Sequence, residues 1–198
     1  LSASISKAAA SMRSYVKDNL KLYLDFKSNK SDTLKFPCEG STDFVSGSSQ
    51  YIDFTDIALT GDLTVSAWVK FDDLSTSSKG LIIGDSANRD WIRASSATTL
   101  DFKVDNTGMS TLTHGLTFTQ SEWQFFTLVR SSNTVTVYRN GIAGGTTGTQ
   151  SGTFTPEYIG RKATNYFDGK IANIQVYNRA LSSTEVLHNY NALKGRFG

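Results

Sequence analysis

Residues 166–195, YFDGKIANIQVYNRALSSTEVLHNYNALKG, decide the fold, because they encode a turn, a strand and a short helix in direct succession. Asp168-Gly169 is a typical turn dipeptide. From Lys170 to Tyr177 apolar and polar residues alternate, which is the pattern of a strand with one buried face. The stretch therefore predicts a strand that ends before Asn178 and a helix that begins shortly afterwards.

Two local patterns mark the start of this helix. Ser182 and Glu185 have the spacing of a capping box, in which each side chain binds the backbone N–H of the other residue. Leu181 and Val186 have the spacing of a hydrophobic staple across the same cap. The helix is predicted to end near Gly195, and its apolar positions recur at helical intervals: Val186, Leu187, Tyr190 and Leu193.

The rest of the chain indicates many short strands joined by tight turns. Leu63 to Phe71 alternates, with Trp68 on the face opposite to the apolar residues, and Asn140-Gly141 is a strong hairpin turn. Residues 144–153, rich in Gly, Thr and Ser, are predicted to be a mobile loop. This spacing predicts an all-β antiparallel sandwich, with strands at 20–26, 43–54 (a hairpin), 63–71, 80–84, 90–95, 99–104, 113–118, 124–130, 134–139, 157–161 and 170–177.

Residues 1–19 are predicted to form an N-terminal helix, because their apolar residues recur on one helical face. A helix of this length is marginal in water, so we expect it to pack on the sandwich, on a sister subunit or on a larger assembly. The chain is therefore divided into a docking segment, 1–19, and a sandwich domain, 20–198. The predicted docking residues are Ile5, Met12, Tyr15 and Val16.

Three stretches carry a resemblance to a known family. They are DLTVSAWVKFD (62–72), WQFFTLVR followed by TVTVYRNG (123–141), and FDGKIANIQVYNRALSSTEV (167–186). These resemble laminin-G-like domains of the concanavalin A-like lectin/glucanase superfamily. The resemblance covers most of residues 41–198 and implies a jelly-roll β-sandwich with a short C-terminal helix. Since this fold serves binders, enzymes and structural proteins alike, it implies much less about function.

The composition limits the setting in which the chain works. Its formal net charge is +2, with basic residues concentrated near both termini, and nucleic-acid binding has no other supporting feature. No apolar run is long enough to cross a bilayer, so no membrane interaction is expected. Cys38 is the single cysteine, which forbids an intrachain disulfide and favours folding in a reducing cytoplasm.

No arrangement of residues indicates catalysis. Glycoside hydrolysis needs two carboxylates facing one bond, and none of the four glutamates has a second acid at the Glu-x-Asp-x-x-Glu spacing of the related glucanases. The adjacent Asp72-Asp73 would point to opposite faces of a strand and are interpreted as turn residues. His114 and His188 lack any nucleophile motif and are interpreted as polar surface or half-buried residues. The chain is therefore predicted not to be an enzyme and to need no cofactor.

Laminin-G-like relatives often hold a structural calcium ion between their first and last strands. The resemblance implies one aspartate in an early F-D-G turn and another in a late G-x-I-D-E-V strand. Here the corresponding stretches read Phe44-Val45-Ser46-Gly47 and Gly169-Lys170-Ile171-Ala172-Asn173, so both acids are missing. Because Ca²⁺ needs six to eight oxygen ligands with carboxylates among them, no metal site is predicted.

Ligand recognition is assigned to loops at the edge of the sandwich. Asn88, Arg89, Asp90 and Trp91, with Asp105-Asn106, combine an aromatic platform with planar hydrogen-bonding groups, which are the residue types that bind sugars. The alternative is that these are turn residues beside a packed tryptophan. The hypothesis is therefore a glycan site formed by these two loops.

The C-terminal NYNALKGRFG and the opening SYVKDNLKLYLDF resemble laminin-G-like virion proteins of tailed bacteriophages. This resemblance implies a non-enzymatic virion surface protein, a capsid decoration or appendage subunit that folds in the host cytoplasm and is displayed on the particle. Its expected partners are capsid or other virion proteins and further copies of itself. The alternative function is a carbohydrate-binding adhesion module that recognises host-surface glycans through the edge loops.

Overall fold

The computed structural model describes residues 15–25, 40–76, 79–105 and 108–197. Within these ranges the chain forms β-strands and one α-helix. Their bounds are β1 Leu20–Asp25, β2 Thr42–Phe44, β3 Ile52–Asp53, β4 Leu59–Thr60, β5 Leu63–Phe71, β6 Leu81–Gly84, β7 Trp91–Ala94, β8 Thr99–Lys103, β9 Ser110–Thr113, β10 Gln124–Ser131, β11 Thr134–Arg139, β12 Ile142–Thr149, β13 Thr153–Phe154, β14 Tyr158–Ile159, β15 Arg161–Lys162, β16 Asn165–Tyr166, β17 Gly169–Tyr177 and α1 Ser183–Leu193. None of the described helical segments is long and apolar enough to cross a membrane.

The strands form two main antiparallel sheets. The first sheet has the order β1-β17-β5-β10-β11-β12, with β2 also paired to β17. The second sheet has the order β3-β14-β6-β7-β8-β9. Two short pairs, β4 with β13 and β15 with β16, complete the described strands. The predicted all-β antiparallel sandwich with a short C-terminal helix is confirmed. The predicted hairpin at 43–54 is wrong, because β2 pairs with β17 in the first sheet and β3 pairs with β14 in the second.

One apolar core lies between the two sheets. Along β5, alternate residues from Leu63 to Phe71 point into this core, as the alternation predicts, and are fully buried. Facing side chains of the second sheet, such as Ile92 and Phe102, belong to the same cluster. Burial of each large apolar side chain contributes about 1.5–3 kcal/mol, so this core holds the two sheets together.

The outer face of the first sheet is covered by α1. The Oγ of Ser182 accepts the Glu185 N–H at 3.3 Å, and a Glu185 carboxylate oxygen accepts the Ser182 N–H at 2.9 Å. Leu181 and Val186 are buried in one cluster. The capping box and the staple are therefore confirmed. The covered sheet residues include Trp68, which faces away from the main core as predicted and stacks on Tyr190 of the helix.

A buried polar network links α1, β17 and the residues before β1. The Asn189 amide nitrogen donates to the Gln175 amide oxygen at 3.1 Å and to the Tyr177 hydroxyl at 3.0 Å. The Asn189 amide oxygen accepts the Val16 N–H at 2.7 Å, and the Tyr177 hydroxyl donates to the Val16 carbonyl at 2.8 Å. Val16, which lies just before β1, is therefore held by the sandwich itself.

This network corrects the last part of the predicted N-terminal helix, residues 15–19, whereas residues 1–14 lie outside the described residues. Residues 15–19 are not helical; the Tyr15 ring stacks on Tyr23 at 4.2 Å, and Val16 packs against the cluster below α1. Two of the four predicted docking residues thus contact their own domain, because apolar spacing alone does not say which surface the residues meet. Ile5 and Met12 lie outside the described residues, so their docking role stays a prediction. Cys38 also lies outside the described residues.

Two predictions for residues 110–153 are wrong. Part of the predicted loop 144–153 is the strand β12, which pairs with β11 from Thr134 to Arg139, and the strand predicted at 113–118 ends at Thr113 as β9. The sequence of β12 lacks apolar alternation because β12 is an edge strand with little buried surface. A Cβ at Gly144 would collide with the His114 carbonyl, so glycine is required where the two sheet edges approach.

His114 follows β9 and is fully buried, which corrects its interpretation as a surface or half-buried residue. Its Nδ1 accepts the Leu116 N–H at 3.2 Å, and its Nε2 has no partner among the described residues. The ring packs on Phe118 at 4.9 Å between centroids. Burial lowers the pKa of His114 to about 4, because a charged imidazole in this position would be poorly solvated.

His114 is therefore expected to make the free energy of unfolding depend on pH. Its folded pKa lies below its unfolded value of about 6.5, so its contribution is complete above about pH 6.5 and declines as the pH falls towards 4. Between about pH 7 and pH 5 we expect a loss of about 2 kcal/mol that is absent in His114→Phe. Urea denaturation at several pH values measures the free energy of unfolding of both proteins. If this free energy changes equally with pH in the wild type and in His114→Phe, the prediction is contradicted.

Candidate functional site

The outer face of the second sheet has no α-helix over it in the described part of the chain. The strand register places Tyr158 of β14, Gly84 of β6, Trp91 of β7 and Lys103 of β8 side by side on one row. Trp91 points outward because its neighbour Ile92 points into the core. This row is the centre of the candidate functional site.

A short hairpin, β15–β16, crosses this row above Gly84. A Cβ at Gly84 would lie 2.7 Å from the Arg161 carbonyl oxygen and 2.9 Å from the Lys162 Cβ. Since real side chains do not tolerate such distances, glycine at this position lets the hairpin lie directly on the sheet. The hairpin thereby places two cationic side chains, Arg161 and Lys162, on the outer face.

One side of the row is a tyrosine cluster, formed by Tyr51, Tyr158 and Tyr166 around Arg161. The Arg161 guanidinium carbon lies 4.4 Å from the Tyr51 ring centroid and 4.6 Å from that of Tyr158. The Tyr51 and Tyr158 rings meet edge to face at 5.1 Å. Tyr51 remains 40% exposed. The cluster therefore offers an accessible aromatic ring beside a guanidinium held by cation–π contacts.

The other side of the row is a lysine-covered tryptophan. The Lys162 Nζ lies 3.5 Å from the Trp91 ring centroid and the Lys103 Nζ lies 4.5 Å from it. Asn88 fixes both lysines, because its Oδ1 accepts from Lys162 at 3.0 Å and its carbonyl accepts from Lys103 at 3.1 Å. Trp91 is only 4% exposed. It is a packed residue and not the open platform that the sequence suggested.

Burial lowers the pKa of Lys162 to about 8, and the nearby charges of Arg93 and Lys103 act in the same direction. Asp101 and Asp85 oppose the shift. Arg93 is itself paired with Asp101, with 2.7 Å between Nη2 and the carboxylate. The Lys162 ammonium thus sits on the tryptophan ring without an ion pair to any described carboxylate.

The two loops predicted to bind a glycan do meet. The Arg89 guanidinium lies 2.8 Å from the Asp105 carboxylate, and the Asp90 carboxylate accepts the Asp105 N–H at 2.7 Å. Asp90 is buried, and this burial raises its pKa. Asn88, Arg89 and Asp105 are exposed, whereas Asp90 serves to join the loops. Asn106 lies outside the described residues.

The tyrosine cluster and the β15–β16 hairpin were missed by the sequence reasoning. A signal was present, because each tyrosine directly precedes a core residue: Tyr51-Ile52, Tyr158-Ile159 and Tyr166-Phe167. Since successive residues of extended backbone face opposite sides, a tyrosine beside an inward-facing residue is expected to point outward. The pattern was overlooked because each strand is only two residues long.

A concave region lies on the first sheet, beside the start of α1. Its volume is about 380 Å³, and its lining has hydroxyl groups but no charged side chain: Val129, Ser131, Thr134, Thr136, Tyr138, Ala180, Leu181, Ser182 and Ser183. The second sheet's outer face is the stronger candidate, because it combines aromatic rings with charges.

The edge at which the resemblance implies calcium does not fit this ion. Phe44 pairs with Gly169, so the early turn and the late strand do lie together. The Lys79 Nζ occupies this edge, 2.6 Å from the Asp73 carboxylate and 3.6 Å from that of Asp168. Its hydrogen bond lowers the pKa of Asp73. In the described ranges no three His, Cys, Asp or Glu residues are grouped to hold a metal ion.

We therefore expect Ca²⁺ to leave thermal stability unchanged. An ion that binds only the folded state raises stability by mass action, and the Lys79 ammonium already neutralises the carboxylates at this edge. The measurement is the melting temperature with millimolar Ca²⁺ and with EDTA. An increase of several degrees with Ca²⁺ would show that a site exists.

A family model described as the concanavalin A-like lectin/glucanases superfamily matches residues 46–187. Among curated proteins, none matches the sequence. Domain 4 of a GH43 extracellular arabinanase from Geobacillus stearothermophilus, solved in complex with arabinotriose, is similar in structure, with a TM-score of 0.56 and 19% identity over 71% of this chain and 72% of that one. A heptameric SAP-like pentraxin from Limulus polyphemus gives a TM-score of 0.53 and 18% identity, over 74% of this chain and 79% of the other.

The receptor-binding domain of botulinum neurotoxin type G gives a TM-score of 0.50 and 15% identity. The alignment covers 87% of this chain but 51% of the toxin domain, so the chain spans about half of that structure. At these low identities, all three likenesses show the fold alone.

Proposed function

Because the chain belongs to a laminin-G-like family of the concanavalin A-like lectin/glucanase superfamily, we propose that it is a non-catalytic carbohydrate-binding module. Its binding surface is the outer face of the second sheet. The observation that carries this proposal is the tyrosine cluster, in which the exposed Tyr51 stands beside Arg161 on a face that no described α-helix covers. An aromatic ring with polar groups around it is the usual composition of a small-molecule site.

A non-catalytic role is supported by what the carboxylates contact. Glu185 closes the helix cap and pairs with Arg179 at 2.6 Å. Asp73 pairs with Lys79, and Asp101 pairs with Arg93. These acids therefore hold the structure together, whereas a glycosidase needs an acid and a base free to act on one bond.

Tyr51→Ala tests the surface. We expect the wild-type protein to give a saturable signal with at least one ligand on a glycan array, and the variant to bind that ligand at least tenfold more weakly with an unchanged melting temperature. Ile142→Ala is the matched control, since Ile142 is 66% exposed on the first sheet. Absence of any saturable ligand, or equal binding by Tyr51→Ala, would refute the proposal.

A second candidate function concerns the particle that carries the module. It is favoured by the resemblance of both chain ends to bacteriophage virion proteins. In this proposal the module is a decoration or appendage subunit on a tailed-bacteriophage particle, self-associated and attached through residues 1–14 to other virion proteins. Within the described chain, Tyr15 and Val16 contact the sandwich, so the attachment is assigned to the residues before them. Electron microscopy of particles with and without the protein tests it, and an unchanged particle surface would refute it.

A further inference from the structure

We propose that the ligand of the second sheet's outer face is an acidic polysaccharide, whose carboxylate or sulfate groups bind Arg161 and Lys103. This inference rests on the proposed carbohydrate-binding function and names the chemical class of its ligand.

The first argument is the state of the cations on this face. Elsewhere in the described chain, ion pairs are common, for example Lys170 with Asp43 and Arg196 with Asp25. On the outer face, Arg161, Lys162 and Lys103 have no carboxylate within 4.0 Å among the described residues and lie against aromatic rings instead. Such cations keep their attraction for an incoming anion, whereas a paired cation has already satisfied it.

The neighbouring carboxylates do not pair with these cations, because each carboxylate binds another group. Asp101 binds Arg93, and Asp105 binds Arg89. Asp85 accepts the Arg89 N–H on both carboxylate oxygens, and Asp90 accepts a backbone N–H from the adjacent loop. The acids on this side of the molecule therefore shape the loops, while Arg161 and Lys103, which are half-buried, are left for a ligand and Lys162 is buried beside them.

The second argument is the surplus of hydrogen-bond donors. The Lys162 ammonium has three N–H donors, and Asn88 Oδ1 is its one hydrogen-bond acceptor among the described residues. The Lys103 ammonium also has three N–H donors, and the Asn88 carbonyl is the acceptor found for it among the described residues. The lysines of this face therefore have more donors than acceptors. Carboxylate and sulfate oxygens are acceptors and carry the complementary charge.

The third argument is the spacing of the two cation–aromatic groups. Arg161 with Tyr158 lies on β14 and its hairpin, and Lys103 with Trp91 lies on β7 and β8, with β6 between them. Tyr158 and Trp91 are therefore two strands apart, which is roughly 9.5 Å. A single sugar acid cannot contact both groups, but a chain with a repeated charge can.

Single-stranded nucleic acid is the competing class, since it also combines negative charge with groups that stack. Its binding proteins offer a series of open aromatic rings on which successive bases stack. Here Trp91 is 4% exposed beneath its lysines, and Tyr51 is the exposed ring of the tyrosine cluster. The face therefore supplies charges in a row but not the repeated stacking surface, which favours the polysaccharide.

The test is a titration of the purified full chain with four probes: oligogalacturonate, chondroitin sulfate, dextran and a thymidine oligonucleotide. We expect saturable binding to a carboxylated or sulfated glycan that weakens severalfold between about 50 mM and about 300 mM NaCl, because salt screens exposed charges. Arg161→Gln and Lys103→Gln should each weaken this binding about tenfold. Lys21→Gln, which removes the same charge from the first sheet, should leave it unchanged.

The outcomes separate the inference from the function on which it rests. Binding of dextran but not of the acidic glycans, lost in Tyr51→Ala, would overturn the acidic ligand and leave the carbohydrate-binding function standing. Tighter binding of the oligonucleotide, or equal weakening by Lys21→Gln, would also overturn the inference. If no glycan binds in this assay or on the array, both proposals fail.

Discussion

Truncating the chain at Asn178 is expected to leave a protein that does not fold cooperatively. The truncation removes α1 and the residues after it, which cover the outer face of the first sheet. Trp68 stacks on Tyr190 and, at 4.4 Å between centroids, on Phe197, and Phe125 is buried in the same cluster with Leu193. Without the helix, these large rings on neighbouring strands would face water.

The expected loss is large because several apolar side chains leave at once. Leu181, Val186 and Leu193 are buried, and Tyr190 and Phe197 pack against the sheet. At about 1.5–3 kcal/mol for each large buried side chain, their loss is comparable with the whole stability of a typical domain, about 5–15 kcal/mol.

Size-exclusion chromatography and thermal unfolding followed by circular dichroism measure this effect. Ser182→Ala is the matched control, because it removes the cap of α1 and keeps its apolar face. This variant should lose about 0.5–2 kcal/mol and still unfold cooperatively. A soluble, cooperatively melting truncation would show that the sandwich is stable without its helix.

The second large effect is expected from deleting residues 1–19, in contrast to deleting residues 1–14. The longer deletion removes the Val16 N–H and carbonyl, which bind Asn189 and Tyr177 in the buried network, and the Tyr15 ring, which stacks on Tyr23. An unsatisfied buried polar group costs about 1–3 kcal/mol. We therefore expect the free energy of unfolding of the longer deletion to be lower than that of the shorter one by at least about 3 kcal/mol.

Urea denaturation of the two deletion proteins and the intact chain tests this prediction. Asn189→Ala, which breaks the same network from the helix side, is the independent variant and should also be strongly destabilised. If the 1–19 deletion is as stable as the intact chain, the contacts of Val16 do not contribute to folding.

Co-sedimentation with particles that lack the protein tests attachment, which we expect the 1–14 deletion to abolish.

Patterns within a few residues predicted the elements at the centre of the first sheet. The alternation from Leu63 to Phe71 gave β5 its bounds, and the Ser182–Glu185 spacing gave the cap of α1. The Asn140-Gly141 turn is observed with positive φ at both residues, as a two-residue hairpin requires. β12 was missed because its Gly- and Thr-rich sequence has no alternation, and its pairing with β11 depends on a neighbour.

The candidate site was predicted less well, because its contacts join distant parts of the chain. The sequence pointed to Trp91 and the loops at 88–91 and 105–106, and the structure does bring Arg89 and Asp105 together. The sequence did not indicate that Lys162 would cover the Trp91 ring or that Arg161 would lie against Tyr51.

The sequence by itself thus determined the all-β fold, the closing strand and the capped helix, since alternation, turn dipeptides and caps act between residues close together in the chain. Only the tertiary structure decided which face of the sandwich α1 covers and which charges meet on the other face. The Lys162–Asn88 hydrogen bond, for example, joins residues 74 positions apart. Such a contact depends on the register of several strands and on the hairpin fitting over Gly84, which no local pattern encodes.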